Sequence, residues 1–209
     1  MPITPTRSTL LRLNKTIKLA VAGHSLLKRK RDGLIKEFFK VLALAKQQQS
    51  RLQENYRRAR ESINLSRAVE GSAAVRSASF AHKEKASIEL ETKNIMGVIV
   101  PKIKSDYHVE AFHNRGYGVI GTSGYIDDAA EAYEQVLKDV IVSAEIETTL
   151  KKLLIEIEKT KRRVNALEFR VIPRLRADGK YVKQRLEEME RDDMFRLKRI
   201  KAKKAKVAV

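Results

Sequence analysis

The stretch EIEKTKRRVNALEFRVIP, residues 156–173, decides the fold. Its apolar residues return at steps of three and four, the rhythm of a helix that buries a single stripe. Lys161, Arg162 and Arg163 cross that rhythm as a basic girdle, and Pro173 stands where a helix interior should not hold a proline. The pattern nevertheless resumes in YVKQRLEEMERDDMFRLKRI, residues 181–200. An interior proline costs a helix about 3 kcal/mol. The reading is therefore a helix that continues through Pro173 with a kink there, helped by Gly179.

Toward the N-terminus the same seam runs through Val171, Leu167, Val164, Ile157, Leu153, Leu150, Ile146, Ala144, Val140, Leu137 and Tyr133, with Thr160 in the slot between Ile157 and Val164. The helix starts near Ile126, where Asp127 and Asp128 suit a helix N-terminus. It extends to about Arg199.

The other flank mirrors this one. From Thr6, which with Ser8 offers a cap, to about Val69 there is no proline, and Gly23 and Gly33 alone weaken the helix. Its seam reads Leu10, Leu13, Ile17, Ala20, Leu27, Leu34, Phe38, Val41, Ala45, Leu52, Tyr56, Ala59 and Ile63. Such a helix would be roughly 95 Å long, and propensity alone does not hold it. It needs a partner along its seam, and the matched flank supplies one. Two long helices joined by a short centre fold back as an antiparallel pair. Residue 70 then lies near residue 126, and 26–34 near 162–168. The polar seam residues His24, Arg31 and Gln48 are read as setting register or reaching outward to water.

The centre breaks the pattern. VEGSAAVRSAS (69–79) reads as a helix end and loop. NIMGVIVPKI (94–103) and GYGVIGTSGY (116–125) read as two short strands paired in a β-hairpin. Between them lie His108 and His113, with no third ligand for a metal. The glycines at 116, 118, 121 and 124 lack the Lys-Ser/Thr of a phosphate loop. The fold class is thus all-α dominated: a long antiparallel two-helix coiled coil with a short β-hairpin in the middle segment. The expected division is a first helix over 1–70, a middle segment over 71–125, a second helix over 126–200 and a disordered basic tail over 201–209.

Composition limits the function. The 209 residues carry a formal net charge of +18, no Cys and no Trp. Disulfides and thiolate metal sites are excluded. No apolar run reaches the ~20 residues of a membrane span, and the absence of a signal-peptide core favours the cytoplasm. The charge favours anionic partners, and it is densest in RLKRIKAKKAKVAV, residues 196–209. No acid–base, nucleophilic or metal set converges, so no enzyme and no cofactor are expected. Two readings stand: a structural coiled coil, and a basic coiled coil associated with nucleic acid or the ribosome. Nucleic-acid binders usually add exposed aromatics or a groove-reading fold, and neither is present. In the antiparallel register the two basic girdles meet as a collar. Like charges at one level are costly unless an anionic partner, water or nearby acids such as Asp32 and Glu168 relieve them.

Three segments carry a family resemblance: TPTRSTLLRLNKTIKLAVAGHSLLKRKRDGL (4–34), EKTKRRVNALEFRVIPRL (158–175) and RLEEMERDDMFRLKRIK (185–201). In order and spacing they resemble the D subunits of the archaeal A-type and vacuolar-type rotary ATPases, over both flanks. RADGK (176–180) departs from the plain helix that is more usual there. The resemblance implies a non-catalytic rotor shaft of the central stalk, peripheral on the cytoplasmic side of the membrane. It implies coupling of ATP synthesis or hydrolysis to proton or sodium transport. The end bearing the termini would enter a hexamer of catalytic A and regulatory B subunits. The end bearing the β-hairpin would join two further stalk subunits, the small F and the funnel-like C (named d in eukaryotes). No specific nucleic acid and only indirect membrane contact are implied. The positions that match the family's motifs are Leu26, Leu27, Lys28, Lys30, Arg31 and Asp32, and Arg162, Arg163, Val164, Asn165, Ala166, Leu167 and Glu168. The resemblance implies that they line the hexamer bearing or fix the helix pair inside it.

Overall fold

The structure is a computed structural model that describes residues 4–81, 88–105 and 123–207. In chain order its elements are α1 (Arg7–Ala81), β1 (Ile88–Ile95), β2 (Val98–Ser105), α2 (Gly124–Ala166), a π-helical turn (Leu167–Val171) and α3 (Ile172–Val207). The architecture is the expected one: long helices with a small two-stranded antiparallel sheet in the middle. The chain forms two compact units, Gly33–Ile157 and Met1–Asp32 with Glu158–Val209.

In the unit Gly33–Ile157, α1 and α2 are closed at one end by side-chain-to-backbone bonds. Ser66 Oγ donates to the Tyr125 carbonyl at 2.6 Å, and the Ser123 N–H donates to Glu70 Oε1 at 2.7 Å. These contacts place residue 70 close to residue 126, as the mirrored flanks require. α1 does not stop at Val69. It runs to Ala81, interrupted by one non-helical residue, Gly71. The segment expected as a loop, 69–79, is otherwise helical because Ala73, Ala74 and Arg76 are sound helix formers.

The seam of α1 buries Leu34 and Ala59 fully, but Tyr56 is 51% exposed. On the part of α2 in this unit the buried apolar residues are Ile126, Ala129, Val136, Ile141 and Leu153, while Leu137 and Val140 face outward and Ala144 is exposed. The expected stripe was one residue out of phase here, because the position facing α1 is the charged Asp139. Its buried carboxylate accepts from Asn55 Nδ2 at 2.5 Å and Gln48 Nε2 at 3.2 Å, with Arg51 Nε at 3.4 Å. A buried charge needs such a set of donors. Gln48 therefore sets register, as its place in the seam suggested.

The β-hairpin differs from expectation. NIMGVIVPKI is not one strand: it holds the end of β1, the turn Met96–Gly97 and most of β2, with Ile95 opposite Val98. Both turn residues have positive φ, 52° at Met96 and 86° at Gly97, as a two-residue hairpin turn demands. The Gly97 N–H donates to Asn94 Oδ1 at 2.8 Å. The partner strand is IELETKNI, which sequence reading passed over, and residues 116–122 of the second expected strand lie outside the described residues. Val98 and Val100 pack with Leu34 and Leu153, flanked by Phe38, Val41, Ile95 and Ile157. The hairpin thus lies back along the helices, not beside Glu70 and Ser123 as a tip would. The outer edge of β2 is covered: the Ile103 N–H donates to Glu145 Oε2, and Lys152 Nζ donates to the Ile99 carbonyl. Across the strands, a hydrogen bond from Lys104 holds the Glu91 carboxyl below its ordinary pKa.

In the unit formed by both chain ends, Thr6 caps α1 by accepting the Thr9 N–H at 3.1 Å. α1 and α3 run antiparallel, with Arg7 on Glu190 at 2.7 Å and Ile17 against Gly179. Gly179 is helical and introduces no break. The passage through Pro173 is made upstream, where the Ile172 N–H donates to the Leu167 carbonyl across a π-helical turn. That turn inserts one extra residue into the seam. Buried positions run Thr160 and Val164 to half-buried Leu167, then step five residues to Ile172 and on to Val182. Val171, expected in the seam, is 39% exposed, whereas Ile172 is 8% exposed. The next residue is Pro173, the one with no N–H to donate, so the widened turn falls where a regular ladder would lose a bond anyway. α3 continues through Val207, so residues 201–207 are helical, not a disordered tail; lysines and alanines without a breaker sustain it.

Two stability measurements test this account. Asp139→Ala should lower the urea-unfolding free energy by about 2–4 kcal/mol, since buried amide donors lose their acceptor. Replacing Gln48, Asn55 and Asp139 together by Leu should recover most of that loss. Deletion of the exposed Phe169 restores even spacing but sets Pro173 in a regular helix, and should cost about 3 kcal/mol. Adding Pro173→Ala to the deletion should return the stability; failure to do so would show that the extra residue serves another end.

Candidate functional site

The collar residues expected from sequence lie on α1, α2 and the π-helical turn of the unit containing both chain ends. His24 Nε2 meets Glu168 Oε2 at 3.3 Å, and Ile17 meets Gly179. That register brings 26–32 alongside the turns that precede Glu168. Val164 is buried in the seam, and Leu27 and Leu167 are half-buried beside it. These three hold the pair together. Arg162, Arg163, Asn165, Ala166, Lys28 and Leu26 face outward, Leu26 with 67% of its surface exposed.

The acids near the collar are committed. Asp32 Oδ1 accepts from Arg31 through Nε at 3.0 Å and Nη2 at 2.8 Å, a charge-assisted pair in which two guanidinium donors share one carboxylate oxygen. Glu168 serves His24, and Glu158 lies 3.5 Å from Arg162. Lys30 is half-buried. Lys28, Arg29, Lys161 and Arg163 have no carboxylate partner among the described residues. The collar therefore keeps solvated cations on a helix pair held together by a buried apolar seam.

Two residues at this level escaped sequence reading as site candidates. His24 occupies a seam position and is the cross-helix partner of Glu168. Phe169, in the π-helical turn, is 71% exposed. The signal for it was present in the five-residue step from Leu167 to Ile172, directly before a proline.

No group of three or more metal-ligating side chains occurs among the described residues, and His108 and His113 lie outside them. No described helix is long and apolar enough to cross a membrane. The described site offers cations and a few exposed apolar side chains.

Comparison with known proteins agrees with the resemblance read from the termini. A family profile for the D subunit of ATP synthase matches residues 9–202. The chain is 55% identical to the D subunit of the A-type ATP synthase of Methanosarcina acetivorans over 201 residues, covering 96% of each chain. It is equally similar to that of Methanosarcina mazei, and 50% identical to that of Haloarcula marismortui, covering 87% of the latter. With both flanks, the centre and the collar inside the matched span, the chain belongs to the family of ATP synthase D subunits.

Proposed function

We propose that this chain is the non-catalytic rotor shaft of an A-type ATP synthase, passing torque between nucleotide-driven subunits and an ion-translocating ring. The observation that carries the reading is the collar: solvated cations fixed on a helix pair whose own seam is satisfied. A shaft needs internal stiffness, which the buried seam supplies. It also needs an outer surface that no single contact locks. Solvated ion pairs suit that requirement, since each exposed pair is worth about 0–1 kcal/mol and can be exchanged for another. On this reading Leu26, Lys28, Arg162, Arg163, Asn165 and Ala166 meet the inner wall of the catalytic A and regulatory B subunits. Leu27, Lys30, Arg31, Asp32, Val164, Leu167 and Glu168 fix the pair behind them. The F and C subunits of the stalk hold the shaft elsewhere along its length, on the cytoplasmic side of the membrane. An asymmetric shaft presents a different face to each catalytic site, which biases each toward a different one of a few discrete states.

The test is a reconstituted complex carrying Arg162→Glu with Arg163→Glu. Both side chains are exposed, so the melting temperature of the isolated chain should fall by no more than about 2–4 °C. Rotation driven by ATP hydrolysis should slow several-fold, or hydrolysis should uncouple from it. Unchanged rotation and coupling would remove the collar from the mechanism.

A further inference from the structure

Beyond Gly71, α1 builds a groove that the shaft reading does not use. Gly71 has φ 86° and ψ 156°, a conformation reserved essentially for glycine. The backbone leaves the helix for one residue and resumes it over 72–81. A groove of about 780 Å³ spans this step, lined by Ile63 and Arg67 before the break and by Ser72, Val75, Arg76 and Phe80 after it. No described residue lining it is acidic. Arg67 and Arg76 have no carboxylate partner among the described residues, and Glu70, the nearest acid in sequence, is engaged by the Ser123 N–H. Phe80 is 79% exposed.

We propose that this groove binds an extended acidic segment of a partner protein, its carboxylates on Arg67 and Arg76 and an apolar side chain against Ile63, Val75 and Phe80. Charge complementarity identifies the occupant. Two guanidinium groups without acids pair carboxylates in fork geometry. Apolar side chains lining the same groove suit a peptide that interleaves acidic and apolar residues. A nucleic-acid strand calls for a longer track of cations along its phosphates than two arginines provide. The glycine break fits this role, because a backbone outlier inside a long helix is kept where the geometry it creates is used. The proposal stands independently of the shaft reading.

The test uses the full chain and a fluorescently labelled Glu-Glu-Leu-Glu-Glu peptide at about 0.15 M ionic strength, where diffuse charge is screened beyond ~8 Å. Arg67→Glu with Arg76→Glu should weaken binding about tenfold or more, through loss of two charge-assisted contacts. Lys15→Glu with Lys18→Glu makes the same change in net charge and should leave the affinity within about twofold if the field of the whole chain is not the cause. Phe80→Ala should weaken binding several-fold, and Gly71→Ala, which disfavours the break, should weaken it as strongly as the arginine pair. Far-UV circular dichroism confirms that each variant is folded, and the neutral pair Arg67→Gln with Arg76→Gln replaces the reversal should that fail to fold. Equal weakening by both charge-reversal pairs, or none by the arginine pair, overturns the proposal. So does full displacement of the peptide by inorganic phosphate or by phosphatidylserine vesicles.

Discussion

Each long helix must keep one apolar stripe against a partner at every turn, and most features of this chain follow from that constraint. A helix of several tens of residues gains too little from its own hydrogen bonds to persist alone. Stability comes from the seam, and the seam tolerates no loss of phase. Where the sequence slips by one residue between Leu167 and Ile172, the backbone widens into a π-helical turn so that Ile172 and Val182 still point inward. Where the seam admits a charge, at Asp139, three side chains from α1 converge on it. The proline that should have ended the helix instead stands directly behind the widened turn.

The same constraint explains how a strongly basic chain carries a collar without cohesion between its cations. Repulsion between exposed lysines and arginines is small at physiological ionic strength, while apolar burial along the seam is large by comparison. Val164, with half-buried Leu27 and Leu167, supplies the cohesion, and Arg31–Asp32 and His24–Glu168 satisfy the polar groups at its margin. The remaining cations are left to the surroundings. A surface of this kind can make only weak and replaceable contacts, which is what the proposed shaft would require.

Much of this was legible in the residues. The seam of α1 from Leu10 to Ile63 follows the three-four rhythm, with Tyr56 as its clearest departure toward solvent. Proximity of residue 70 to residue 126 followed from the lengths of the flanks. Legibility failed wherever a polar residue occupied a buried place or an apolar one an exposed place. Asp139 hid the phase of α2 and moved the expected stripe to Leu137 and Val140. β1 was passed over because IELETKNI carries charges and lies almost wholly exposed, and the Met96–Gly97 turn was absorbed into the strand it begins. The helix after Gly71 is built of small residues, which suit a loop equally well, so its pattern does not separate the two. Of the proposed collar, the two basic runs and the inward place of Val164 between them were legible from the seam rhythm; the exchange of Val171 for Ile172 beyond it was not, because it depends on the π-helical turn.

Pulsed dipolar spectroscopy with nitroxide labels at Leu26 and Asn165, both exposed, tests directly whether the two chain ends pair with their basic girdles at one level. Paired helices have axes about 8–10 Å apart, and with label arms the account predicts a single narrow distance of roughly 2–3 nm. A broad distribution, or a distance beyond about 5 nm, which at ~1.5 Å per residue means an offset of roughly 30 residues or more, would contradict it.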